Sequence, residues 1–450
     1  MKLKTQLAEL GLFDAKVPRY TSYPTAPHFN AAVGPAFFED CVAQIPENAQ
    51  ISLYLHVPFC RRLCWFCACR TQGTQSLTPV QAYVETLKDE IRLLKNRLPV
   101  GISLSRLHWG GGTPTLLDPE TMDSLCDTIF DMAPMASDGE FSIEIDPNEI
   151  DIKRLEVLAK HGMNRASIGV QDFDPEIQET IGRIQSFDVT RDAIDMIRAQ
   201  GVKSLNADIL FGLPHQTPER LAESVNKLIS LAPDRVALYG YAHVPWMAKR
   251  QQMIPSDTLP TPQERLNLFE TAQKIFNEGG YLDIGIDHFA KPTDGLAQAA
   301  SNGTLKRNFQ GYTDDQSDIL IGLGASSISR FPQGYAQNAP QTSAYAASIR
   351  DKSFATTRGH VFSGDDQLTA RLIESLMCEF AVSYADIDER FGIHLPQMRQ
   401  TFQKINAQFQ NQLTVNDAGL FIPKEMQPLT RMIARAFDNY DSIARHSAAI

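Results

Sequence analysis

Short apolar runs alternate with longer amphipathic stretches between residues 50 and 245. The runs 51–57, 104–109, 140–146, 165–171, 204–211 and 235–241 are rich in Val, Ile, Leu and aromatic residues, often with Gly or Pro after them. Such segments predict strands. Between the first two, residues 80–98 place Val84, Leu87, Ile91, Leu94 and Leu98 three or four apart, which is one face of a helix. Similar patterns predict helices over 119–132, 151–161, 189–199, 218–231 and 262–277. Pro119, Pro218 and Pro262 fall where a first-turn proline is tolerated. Asp118 and Thr217 precede two of them as N-caps. Repeated βα units imply a parallel sheet, and six of them an incomplete or full barrel. In such barrels chemistry gathers at the C-terminal strand ends. Residues 281–289 and 319–328 read as two further strands, and 365–450 as mainly helical with a hairpin at 413–422. The expected division is an extension over 1–48, a barrel with its own extension over 49–360, and a helical domain over 361–450.

Composition changes this picture little. The chain has 450 residues, 43% hydrophobic and 21% charged, which is ordinary globular usage with ample material for a core. A net charge of −11 argues against a nucleic-acid partner. No apolar run approaches the ~18–20 residues that span a bilayer. Residues 1–13 lack the apolar core of a signal peptide. A cytoplasmic protein with no membrane partner is expected, its seven cysteines reduced.

Cys41, Cys126 and Cys378 stand alone and read as small buried apolar residues. Cys60, Cys64, Cys67 and Cys69 fall within ten residues, a density that points to metal or redox chemistry. A second thiol pair, as structural zinc sites use, is missing downstream. Thiolates on one short loop suit an iron–sulfur cluster instead. With three ligands, one iron keeps an open position. Other unusual residues also follow predicted strands: Gly110-Gly111-Gly112-Thr113-Pro114, Glu144 and Asp146, Gln171, Asp208, and Tyr241-Ala242-His243. Consecutive glycines let a ligand approach bare backbone. A carboxylate at a strand end, such as Glu144, can accept from ribose hydroxyls. Tyr54 points to the same face as His56.

The segment Cys60-Arg-Arg-Leu-Cys64-Trp-Phe-Cys67 resembles the signature loop of radical S-adenosylmethionine (SAM) enzymes. That resemblance implies an α/β fold, a partial (β/α)6 TIM-like barrel, and a [4Fe–4S] cluster held by Cys60, Cys64 and Cys67. The open iron would be chelated by SAM, whose reductive cleavage gives a 5′-deoxyadenosyl radical. Further segments resemble one branch, the oxygen-independent coproporphyrinogen III oxidases: Pro18-Arg-Tyr-Thr-Ser-Tyr-Pro-Thr-Ala26, His108-Trp-Gly-Gly-Gly-Thr-Pro114, Ser167-Ile-Gly-Val-Gln171, Asp208-Ile-Leu-Phe-Gly-Leu-Pro214, Gly285-Ile-Asp-His-Phe-Ala290 and Asn308-Phe-Gln-Gly-Tyr-Thr313. The branch would use Gly111 for the SAM amino group, Glu144 for its ribose, Phe66 for its adenine, and Tyr54, Ala242 and Ile328 as further contacts. A second SAM would meet Arg183, Gln171 and Asp208, with Gly112 and Thr113 between the two sites. Cys69 would be required for activity without binding iron, and Tyr54 would share the catalytic centre. Two departures are small: Ala68 stands where many members carry Gly, and Trp65 where Tyr is common.

The implied reaction turns two propionates of coproporphyrinogen III into vinyl groups, releasing two CO2 and giving protoporphyrinogen IX. An electron donor and an acceptor are required but not named by the residues, and a monomer is expected. Substrate carboxylates would need basic residues, with Arg19, Arg165, Arg183, Lys306 and Arg307 as candidates. The alternative is a heme chaperone built on the same barrel. Such relatives generally lack the stretch from Arg19 to Pro24 and the Cys69 position, both present here. A radical enzyme that opens heme shares the cysteine loop and is a weaker match.

Overall fold

The computed structural model describes residues 2–393, 395–440 and 446–450. Six strands, β1 (Gln50–Val57), β2 (Ser103–Gly111), β3 (Met135–Ile145), β4 (Arg165–Gln171), β5 (Ser204–Phe211) and β6 (Arg235–Gly240), lie side by side in chain order. All neighbouring pairs among them are parallel. The connecting helices include α1 (Thr78–Lys95), α2 (Pro119–Met132), α3 (Ile152–Lys160), α4 (Phe187–Ala199) and α5 (Pro218–Ser230), with α6 (Pro262–Glu278) after β6. Capping follows the sequence: Asp118 accepts from Thr121 N at 2.8 Å, and Thr217 caps α5. Thr261 and Glu264 close a reciprocal capping box at α6.

The apolar stripe of α1 is buried against the sheet, with Val84, Leu87, Ile91 and Leu94 all fully covered. Covering each such side chain contributes roughly 1.5–3 kcal/mol. Trp109 of β2 is also fully covered, its ring 5.6 Å from that of Phe141 on β3. The alternation of strand residues sends this apolar set outward to the helices. Tyr54, His108, Ser142 and Glu144 are left on the opposite, inner face.

Two readings of the pattern need correction. Residues 281–289 form two strands, Leu282–Ile284 and His288–Ala290, paired antiparallel. The chain reverses at Gly285 (φ +55°), where a β-carbon would lie 2.0 Å from the Tyr312 ring. Residues 319–328 likewise divide. Leu320–Leu323 adds parallel to β1, whereas Ile328 begins the antiparallel strand Ile328–Phe331. The parallel set therefore has seven strands, extended by antiparallel ones at both edges into an open twelve-stranded sheet. The sheet does not close, so the barrel is partial.

A second apolar cluster joins the two ends of the chain. Leu7, Leu12, Val17, Tyr20 and Tyr23 pack with Leu376, Met377, Phe402, Leu420, Leu429 and Ile433. The hairpin expected at 413–422 is present as Thr414–Val415 paired with Gly419–Phe421. Among the described residues, no helix is long and apolar enough to cross a membrane.

Candidate active site

The inner face of β1–β3 carries one continuous polar network. Register places Tyr54 opposite His108 and His108 opposite Ser142. The Tyr54 and His108 rings stack at 5.8 Å. His108 Nδ1 meets Ser142 Oγ at 2.6 Å, and His108 Nε2 lies 3.4 Å from Glu144 Oε1. Glu144 Oε2 accepts from Gly111 N at 3.0 Å. Burial alone would raise the Glu144 carboxyl, but His108 and the Gly111 N–H outweigh it and hold it below its usual range. His56 Nε2 lies 3.2 Å from the Arg70 carbonyl, which can only accept, so Nε2 carries the proton. Nδ1 is then free to accept from Tyr54 Oη at 3.0 Å. Burial holds this imidazole neutral by lowering its pKa.

The three glycines are required by space. A β-carbon on Gly110 would lie 2.6 Å from Glu144 Oε1, and one on Gly112 would lie 2.4 Å from the Phe59 carbonyl. Gly111 holds φ +113°, a left-handed value that glycine adopts without strain. Bare backbone at 110–112 thus lets the cysteine loop and the strand end close on each other. Gly112 N donates to Val57 O at 2.9 Å, and Thr113 N to Phe59 O at 2.8 Å.

Cys60, Cys64 and Cys67 are part-buried and Cys69 is exposed, all as free thiols. The Thr113 hydroxyl bonds to Cys60, although burial still pushes that thiol up to about 11. Arg183 Nη1 sits 3.5 Å from Cys64 Sγ and 3.4 Å from Asp146 Oδ2. The Cys69 thiol and its N–H, at 3.4 Å from Cys67 Sγ, favour the Cys67 thiolate and pull its pKa down. Cys69 moves the opposite way. Thiolate is the ligand form of cysteine. Among the described residues, no three His, Cys, Asp or Glu side chains converge on a single-ion site. A [4Fe–4S] cluster places a separate iron on each thiolate and needs no such convergence, so the donor set fits it.

Gln251 was not anticipated. It is fully buried, and its Nε2 donates to the Phe66 carbonyl at 2.7 Å and the Ala242 carbonyl at 3.0 Å. Its Oε1 accepts from Val244 N. It ties the cysteine loop to the segment after β6. Nothing in the spacing marks this glutamine, because its partners are all backbone. Arg250 adds a second tie, to Thr71 O at 3.1 Å.

The remaining candidates divide. Gln171 ends β4 at φ +70°, close to Gly169 and Arg183. Asp208 accepts from Asn206 Nδ2 at 2.9 Å, and burial pushes its carboxyl up to about 7. Ile328 lies with its backbone against Gly322, the register partner of Tyr54. Arg165 starts β4 and pairs with Glu140 at 3.3 Å, at the N-terminal end of the sheet and away from the loop. Lys306 pairs with Asp318 at 3.5 Å. Both are held by carboxylates of the protein. Arg19 approaches the site, donating to Gly240 O at 2.7 Å.

This partial barrel, with thiols, glycines and a carboxylate at one strand end, defines a radical SAM enzyme, and residues 54–228 match the Radical SAM superfamily. That family implies a [4Fe–4S] cluster and SAM as cofactors. The oxygen-independent coproporphyrinogen III oxidase of Paracoccus denitrificans is 61% identical over the whole of both chains. That of Escherichia coli is 36% identical, covering 96% of this chain and 95% of its own. A solved structure of coproporphyrinogen III oxidase from E. coli, described as a radical SAM enzyme, superposes with a TM-score of 0.89 at 35% identity, over 95% of this chain and 100% of that one. The chain belongs to the oxygen-independent coproporphyrinogen III oxidase family.

Proposed function

We propose that the protein oxidatively decarboxylates two propionates of coproporphyrinogen III to vinyl groups without oxygen, forming protoporphyrinogen IX in heme biosynthesis. The observation that carries this is the joining of the Cys60–Cys67 loop to the Glu144–Gly111 pair at one sheet end, within a chain alike over its full length to oxidases of that name. Bound there, the cluster and SAM supply a carbon radical able to take hydrogen from a propionate β-carbon.

The chain's own residues have distinct tasks. Cys60, Cys64 and Cys67 hold the cluster. Glu144 takes the ribose hydroxyls and Gly111 the amino end of SAM. Tyr54 stands beside them with its hydroxyl fixed by His56. Phe66 and Ala242, tied by Gln251, cover the adenine, and Ile328 closes the far side. A second SAM would meet Gln171, Arg183 and Asp208, with Gly112 and Thr113 between the two. Among the described residues the buried Arg183 Nε has no hydrogen-bond partner, which supports a carboxylate there. Cys69 serves catalysis as a thiol rather than a ligand. The described residues before 49 and after 360 would cover the barrel, and unpaired thiols suit the cytoplasm.

Deoxyadenosine release tests the reading. The reconstituted protein, kept anaerobic with SAM and reductant, is expected to release it faster when coproporphyrinogen III is present. Cys64→Ser should release none. Tight heme binding without deoxyadenosine would favour a heme chaperone instead.

A further inference from the structure

One cavity beside β6 is lined by a buried arginine with two hydrogen-bond donors that, among the described residues, find no acceptor. It has a volume of about 360 Å3, with Phe211, Gly240 and Tyr241 at the C-terminal ends of β5 and β6 on its wall. Arg19, Arg265, Arg307 and Arg431 line it. Three of them are engaged by main chain. Arg265 donates to the Ile450 carbonyl at 2.9 Å, and Arg19 to Gly240. Arg431 donates to carbonyls of Val17, Pro18, Ala448 and Ala449.

Arg307 differs. It is 9% exposed, and among the described residues its Nε and Nη1 are buried without a hydrogen-bond partner. Its Nη2 donates to the Arg19 carbonyl at 3.5 Å. The nearest carboxylate oxygen, Asp287 Oδ1, is 4.0 Å from Nη1 and already bonded to His288 Nδ1 at 2.7 Å. The Tyr312 ring, 4.5 Å away, holds the guanidinium in place. Of the other acids on the wall, Glu270 pairs with Lys4 at 2.8 Å and Asp283 accepts from Gln273 at 3.1 Å; Glu425 also lines it. A buried donor left unmade is costly, and such costs persist where a ligand later satisfies them. The cavity adjoins the cysteine loop through Ala242, which lines it and whose carbonyl shares the Gln251 amide with that of Phe66.

We propose that Arg307, flanked by Arg19, anchors a carboxylate of the porphyrinogen substrate, from a propionate other than the one reacting. This rests on the function proposed above. A planar fork matches a carboxylate with two parallel hydrogen bonds, which a lysine cannot reproduce. The anchor fixes the macrocycle from its rim, so that another propionate faces the thiol loop.

The test compares wild type, Arg307→Met and Arg307→Lys, each reconstituted. Binding of coproporphyrin III, the oxidised tetracarboxylate, is followed by fluorescence, and KM and kcat by vinyl product. Arg307→Met is expected to weaken Kd and raise KM by about tenfold or more, with Arg307→Lys between. The fold and iron content of Arg307→Met should be retained, because Asp287 keeps its bond to His288. Unchanged Kd and KM would overturn the assignment. So would a fall in midpoint with loss of iron, which would mark a structural arginine. A wild type that binds coproporphyrin III through Arg307 yet forms no vinyl product would keep the anchor and overturn the proposed activity.

Discussion

Asp208 shows how a single side chain records the site's demands. Burial disfavours its charged form, Asn206 offsets part of this, and the charge on Glu144 adds to it, leaving the carboxyl at about 7. In the unfolded chain an aspartate ionises near 3.9. Between those values the folded state holds a proton the unfolded state lacks, so stability falls as pH rises from about 4 to about 7 and is then level. Asp208→Asn, measured by urea unfolding without SAM, should therefore stabilise the protein by on the order of 1–3 kcal/mol at pH 8. The gain should shrink as pH is lowered toward 4. A gain independent of pH would show that the carboxyl is not perturbed in the fold.

At the level of elements, the site depends on backbone approach. Gly112→Ala would drive a methyl group to 2.4 Å from the Phe59 carbonyl, and nothing flexible stands there to yield. The strand end and cysteine loop must then part. The expected result is a folded barrel, by circular dichroism, with iron incorporation reduced several-fold. Full iron content would contradict the account. Gln251→Leu is a complementary case: the carbonyls of Phe66 and Ala242 and the N–H of Val244 each lose a partner in a buried place. A loss of roughly 2–4 kcal/mol in stability is expected, with weaker SAM binding by calorimetry. These two positions mark what the sequence could and could not reveal. Strands β1–β6, their helices and the thiol loop were legible, because apolar period and cysteine spacing are local signals. Gly110–Gly112 stood out for the same reason. Gln251 and the network of His56 and His108 were not legible as a set, since register across parallel strands joins residues some fifty positions apart. The reversals at Gly285 and between Leu323 and Ile328 lie within apolar runs, which hide a turn that only packing fixes.

For the whole molecule, residues near both chain ends share one apolar cluster. Arg431 fastens them, holding carbonyls from residues 17, 18, 448 and 449 with one guanidinium. Its burial with Arg19 nearby pulls its pKa down to about 9, a sign of how little compensating charge surrounds it. Arg431→Ala should lower the thermal midpoint by several degrees and open the N-terminal segment to protease first; an unchanged cleavage pattern would deny it that role. The product of this partial barrel is the most direct readout. Reconstituted protein should be given coproporphyrinogen III, SAM, a reductant and cell extract as electron acceptor, under anaerobic conditions, with Cys64→Ser beside it. Product porphyrins, oxidised and separated by chromatography, are then counted. The account predicts protoporphyrin from wild type and none from Cys64→Ser; coproporphyrin unchanged in both, alongside active SAM cleavage, would contradict it.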